Sequence, residues 1–178
     1  MIRFLSFLSL SVTFLMSASN LSHSKAVSKR IQKKVQKEIK NVFKVESFNL
    51  EENPFQIPAN NFLQASSFQE IHVQDVLQGY AFIGTAPSKT DSFEYLVLLD
   101  KDLVILKAKV LVYREDYGGE IGSKRWLSQF ISKDRDSILG YGREITAISG
   151  ATISVKSMTA SINHFLYSLK EFNQETSS

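Results

Sequence analysis

Apolar residues recur every three or four positions near the end of the chain, at Val155, Met158, Ile162, Phe165, Leu166, Leu169 and Phe172. That spacing predicts a helix with one buried stripe, opening near Thr152. A second stripe, Val27, Ile31, Val35, Ile39 and Phe43, runs at four-residue spacing through residues 25–44 and predicts an amphipathic helix. Between them, Gln78 to Thr85, Phe93 to Asp100 and Leu103 to Tyr113 are rich in Val, Ile, Leu, Tyr and Phe, and read as three strands. The Asp100-Lys101-Asp102 break predicts a hairpin. In the last strand Leu106, Ala108, Val110 and Val112 alternate with Lys107 and Lys109, so one covered and one wetter face are expected, as in an antiparallel sheet. Phe48 to Ser67, interrupted by Pro54 and Pro58, reads as an ordered connection. Ser123 to Ile131 reads as a short helix presenting Trp126, Leu127 and Phe130, between loops at Arg114 to Gly122 and Asp134 to Arg143. The class is α+β: a basic amphipathic helix, a central antiparallel sheet and a C-terminal helix.

The start of the chain adds a compartment. Arg3 is followed by the apolar run Phe4 to Met16 and the small residues Ser17, Ala18 and Ser19. This is the pattern of a secretory signal, too short and serine-rich for a comfortable span, with an uncleaved anchor as the alternative. The expected organisation is a signal peptide over 1–24, the helix and connecting segment over 25–77, a domain over 78–172 and a tail over 173–178. Such a protein is exported, to the periplasm or the cell surface, with membrane association left open. The chain has no cysteine, which excludes disulfides, thiolate-held iron–sulfur clusters and thioether-linked haem. The three histidines, His23, His72 and His164, are scattered, and no metal site is expected from them.

Net charge is +3, but nine of the 21 basic residues and only one of the 18 acidic ones precede residue 45. The remaining body holds 12 basic against 17 acidic residues, about −5. The basic helix therefore reads either as a face for an anionic membrane surface or as a wet face over a docked apolar stripe. Export makes nucleic acid an unsuitable partner.

The chemistry concentrates between strand and helix. Six of the 8 glycines lie from Gly118 to Gly150, and the sequence Ser149-Gly150-Ala151-Thr152 opens the last helix. Gly150 permits a sharp turn and Ala151 adds little bulk. Free amides at the helix start would favour an anion such as a phosphate on Thr152. Ser149 and Ser154 could donate to phosphate oxygens or merely cap the helix, and Lys156 lies one turn on. Tyr117, Trp126, Phe130 and Tyr141 offer flat faces for an aromatic ring.

This order of elements, from a strand into a glycine-containing loop with Glu115, a short aromatic helix, and Ser-Gly-Ala-Thr opening a C-terminal helix, resembles the bacterial FMN-binding domain. That domain occurs in subunits of membrane redox pumps and in exported flavoproteins. The resemblance spans roughly Gln78 to Leu169. It implies that a flavin transferase takes FMN from FAD and joins its phosphate to Thr152, and that Glu115 belongs to the family's loop motif. Two departures stand out. Tyr113 replaces a histidine and Asp116-Tyr117 replace Thr-Pro in the loop motif, and Thr146 stands where the attachment motif has an aspartate.

The resemblance thus implies an exported carrier, with covalent FMN, relaying electrons to a membrane or exported redox partner. The cofactor-binding set expected is Thr152, Ser149, Gly150, Ala151, Ser154, Glu115, Trp126 and Tyr117. Two alternatives come from other classes. One is a binding module of the same fold without flavin, which Thr146 would favour. The other is an exported hydrolase with a hydroxyl nucleophile, which lacks a base at any motif position.

Overall fold

Five strands pair in chain order into one antiparallel sheet, with a helix on each face. The structure, a computed structural model, describes residues 17–175, with side-chain surroundings for residues 29–172. Residues 1–16 of the expected leader and 176–178 of the expected tail lie outside the described residues. Within them no helix is long and apolar enough to cross a membrane.

Helix α1 (Ser17–Phe43) begins earlier than its apolar stripe, for no glycine or proline interrupts that stretch. Lys44, at φ 58°, takes the left-handed position that closes it. Then come β1 (Asn49–Glu52), β2 (Ala65–Val73), β3 (Val76–Pro87), β4 (Ser92–Leu99) and β5 (Ile105–Val112). The three expected strands are β3, β4 and β5. Two more, β1 and β2, lie where only a connection was expected. They extend the same sheet, β1 through Leu50 opposite Ile71 and β2 through Phe68 opposite Phe82. The β2–β3 turn holds Gln74 and Asp75 at φ 50° and 62°, a two-residue turn with both centres left-handed. The short helix is one turn, α2 (Lys124–Leu127), continued as 3-10 through Phe130; α3 spans Thr152–Glu175.

The expectation of one wetter face is corrected. On one face Phe82, Tyr95, Val97, Leu99 and Ile105 pack under Val155, Met158, Ile162 and Phe165 of α3, and the Phe165 ring stacks on Phe82 at 3.9 Å between centroids. On the other, Ala81, Leu96, Leu98 and Leu111 pack under Val35 and Ile39 of α1. Lys107 and Lys109 are on that second face, but they meet Glu38 of α1 at 3.7 and 3.9 Å rather than open water. The simple alternation of β5 also fails. Register slips opposite Leu98/Leu99 and Glu94/Tyr95 put Ile105 and Ala108 in one core and Leu111 and Val112 in the other.

Hydroxyls fix α3 on its face. Ser161 Oγ meets the Tyr95 hydroxyl at 2.6 Å, both buried, and burial pushes the Tyr95 hydroxyl pKa well up. Ser157 Oγ donates to the Pro87 carbonyl at the end of β3, and Ser154 Oγ meets the Tyr113 hydroxyl, just past β5, at 3.0 Å. Contacts to β3, to β4 and to the residue that follows β5 thus set where the helix begins.

Candidate functional site at the start of the C-terminal helix

Ile148 to Ala151 form a tight turn, in which the Ala151 amide donates to the Ile148 carbonyl at 3.2 Å and Gly150 takes φ 78°. A left-handed third residue is what a type II turn requires, and glycine supplies it without strain. The Ala151 carbonyl accepts the first helical bond, from the Val155 amide at 2.9 Å, so Thr152 is the first residue of α3. Among the described residues the amides of Thr152, Ile153 and Ser154 have no acceptor, and neither has the exposed Thr152 hydroxyl a partner. Free donors and the positive end of a 24-residue helix therefore surround one free hydroxyl.

The loop after β5 is built against this turn. Gly118, also at φ 78°, lies so close to it that a Cβ there would stand 2.4 Å from that of Ala151. Tyr117 Cβ approaches the same turn, and the Tyr117 ring is 80 % exposed. An open cleft of about 310 Å³ results, lined by Lys89, Tyr113, Glu115, Tyr117 and the turn from Gly150 to Ser154. Five of the eight expected residues, Thr152, Gly150, Ala151, Glu115 and Tyr117, meet in it with the sixth, Ser154. That sixth one is turned inward: Ser154 is 2 % exposed, and its hydroxyl is engaged by Tyr113. Thr152 is left as the exposed hydroxyl of the helix start.

Glu115 is held by the β3–β4 turn. The Ser88 hydroxyl, the Thr90 amide and the Thr90 hydroxyl lower its carboxyl to a pKa of about 2. Ser88 has one proton, which points to the Asp91 carbonyl at 2.8 Å, so the Thr90 amide at 2.7 Å and hydroxyl at 2.9 Å hold the carboxylate in this arrangement.

Trp126 and Ser149 line a second open cleft, of about 810 Å³, with Glu120, Arg125, Gln129 and Thr146 to Ile148. The Trp126 ring is only 5 % exposed, packs edge-on against Phe130, and donates from Nε1 to the Thr146 carbonyl at 2.8 Å. Its indole thus pins the irregular segment before the motif more than it offers an open face. Gln129 Oε1 accepts from the Thr146 amide at 2.8 Å, so Thr146 is held by its backbone alone. Lys156 is drawn to the Tyr141 ring, 5.0 Å from its centroid, and does not line the cleft of Thr152.

Sequence reasoning missed Lys89, Gly118 and Gln129. The Gly118-Gly119 pair was a signal for close packing, whereas nothing local in the sequence joins Lys89 to Thr152. Among the described residues no cluster of three or more His, Asp or Glu could hold a metal ion.

The donor set suits a phosphorylated flavin: a free hydroxyl, three free amides and a lysine for the phosphate, and neighbouring clefts of the size, about 300–1,000 Å³, that hold small molecules. No curated protein matches the chain. Residues 90–167 match the family model of the FMN-binding domain, a stretch that holds Glu115, Tyr117, Trp126 and the whole Ser149–Ser154 turn. Over these residues the chain is similar to the FMN-binding domain, and that match supports a flavin-binding protein with FMN as its cofactor.

Proposed function

We propose that the protein is an exported electron carrier that holds FMN covalently through a phosphoester on Thr152. The observation that carries this reading is the exposed, unpartnered Thr152 hydroxyl at the first residue of α3, beside three free amides. A flavin transferase would supply the group from FAD. The Thr152 oxygen bonds to the flavin-side phosphorus, the bond from that phosphorus to AMP breaks, and the hydroxyl proton leaves with AMP. The resulting diester carries one negative charge, which the free amides and helix end stabilise. FMN, when bound, supplies one- and two-electron chemistry. The chain's own work is to seat the phosphate, fix the turn through Gly118 on Ala151, and keep the preceding segment in place through Trp126 and Gln129.

Thr146 bears on the transferase rather than on the turn. Its backbone makes both contacts that hold the segment, so a missing carboxylate leaves the seat intact and alters only what the transferase reads. The apolar run before residue 17 supports export, and the outward lysines of α1 support an anionic membrane surface as the docking face. A redox partner would then be membrane-bound or exported.

Attachment is tested by producing the full chain with a flavin transferase. Intact mass should rise by FMN less one water, and the denatured band should fluoresce. Thr152→Val should abolish both signals. Retention of covalent flavin by that variant would remove Thr152 from the role, and loading at Ser154 in its place is disfavoured by the burial of that residue.

A further inference from the structure

We infer that Lys89 is the phosphate-selecting residue of the flavin site, and that Glu115 is the clamp that delivers it there. The inference rests on Thr152 being the phosphate seat. Lys89 is the one cationic side chain lining the Thr152 cleft. It lies in the turn between β3 and β4, just before the stretch that matches the family model.

That turn is fastened on both sides of Lys89. On the preceding side, Ser157 of α3 donates to the Pro87 carbonyl. On the following side, the Glu115 carboxylate takes both the amide and the hydroxyl of Thr90. The turn also closes on itself, for the Ser88 amide and hydroxyl both donate to the Asp91 carbonyl at 2.8 Å. One residue further, Arg114 reaches back from the Glu115 loop to the Ser92 carbonyl and to Glu94, each at 2.8 Å. A four-residue turn with this many ties has little freedom left, so the place of Lys89 is set by the fold while its long side chain stays exposed.

The charges agree with that geometry. Glu115 lines the same cleft and would repel a phosphate if it were free. Its two donors from Thr90 occupy the carboxylate and draw it toward the turn. Lys89 has no acidic partner among the described residues, since none of the ion pairs includes it. An unpaired ammonium lining the same cleft as three free amides is suited to a phosphate dianion, and would discriminate FMN from riboflavin, which shares the ring and lacks the phosphate. Glu115 acts through the turn and is a positioning residue.

The experiment uses the full chain carrying Thr152→Val, so that no covalent bond forms, and titrates FMN and riboflavin separately by flavin fluorescence. Lys89→Ala should weaken FMN roughly fivefold at low salt, less at high salt, and leave riboflavin unchanged. Lys89→Arg should keep most of the preference. Glu115→Gln should lower FMN affinity in the same direction by a smaller factor, because the turn loosens while Lys89 remains. Equal losses for FMN and riboflavin in Lys89→Ala, or an unchanged FMN affinity, would overturn the inference while leaving attachment at Thr152 intact. Absence of any preference for FMN in the parent protein would instead remove the phosphate seat, and with it the role of Lys89. Thermal melts of each variant exclude loss of fold as the source of weaker binding.

Discussion

On the α3 face, three serines meet Tyr113, Pro87 and Tyr95 through hydroxyl contacts, two of them pairing hydroxyl with hydroxyl. On the α1 face the contacts are aliphatic in the middle and ionic at the margin, with Glu38 nearly 4 Å from each of two lysines and the flexible Lys34 side chain donating to the Leu111 carbonyl. Apolar packing and long charged side chains tolerate a small slide or rotation of a helix. Hydroxyl pairs do not, because their geometry fails within a few tenths of an ångström. The face that must deliver one threonine to one place is the face held by short hydroxyl side chains at three points. The other needs only to cover the sheet and hold its cations outward.

Breaking a hydroxyl pair should have the largest effect. Tyr95→Phe leaves the Ser161 hydroxyl buried with no partner from β4, and should cost about 1–3 kcal/mol in chemical denaturation. Adding Ser161→Ala removes the orphan and should recover much of the loss. The comparison sharpens if the double variant, although stable again, takes up flavin more slowly, since α3 would then be packed but less strictly placed. A double variant no more stable than Tyr95→Phe would show that the pair contributes by shape and not by satisfaction of its polar atoms.

The helices and strands β3, β4 and β5 were legible because their apolar content is strong, and every member of the expected α3 stripe is buried. Strands β1 and β2 were not. β2 contributes Phe68 to one core and Ile71 to the other, so neither face shows a repeat. The turn from β2 to β3 uses Gln74-Asp75 in place of a glycine-bearing pair, which hides the hairpin. The cover on both sheet faces was hidden as well, since Lys107 and Lys109 read as wet and are in fact paired with Glu38. At the site, the turn and Thr152 could be read from four consecutive residues. The inward Ser154 and the buried Trp126 could not, because hydrogen bonds from Tyr113 and to Thr146 arise only in three dimensions.

A smaller effect should follow from pH, and it belongs to the site side of the molecule. Glu115 has its folded pKa held well below its ordinary 4.5 by hydrogen bonds from the β3–β4 turn, where the Thr90 amide and hydroxyl donate to its carboxylate. A depressed carboxylate stabilises the fold fully above the ordinary value, and that contribution disappears as pH falls from about 4.5 toward 2. Thermal melts of wild type and Glu115→Gln should therefore differ most near neutrality and converge in strong acid. A gap that stays constant down to the lowest pH would mean that the clamp acts through neutral hydrogen bonds instead of through charge.

The smallest effect on the fold should come from the outer face of α1, where Lys33, Lys37 and Lys40 are exposed and none is in an ion pair among the described residues. They lie opposite Val35 and Ile39, which are 2 % and 0 % exposed, so these two residues of the stripe are committed to the core. Lys34 is different: its ammonium donates to the Leu111 carbonyl on β5, and its removal would mix a structural loss with a charge effect. Replacing Lys33, Lys37 and Lys40 by Gln, with Lys34 kept, should change stability by no more than about 0.5 kcal/mol. The flavin spectrum should not move, since α1 and α3 lie on opposite faces of the sheet. Association with vesicles of anionic lipid should weaken, and the weakening should be greatest at low salt, because no apolar contact supports it. Equal binding of both proteins to those vesicles would leave the lysines as a solvated surface, and the contrast between the faces would then be one of packing alone.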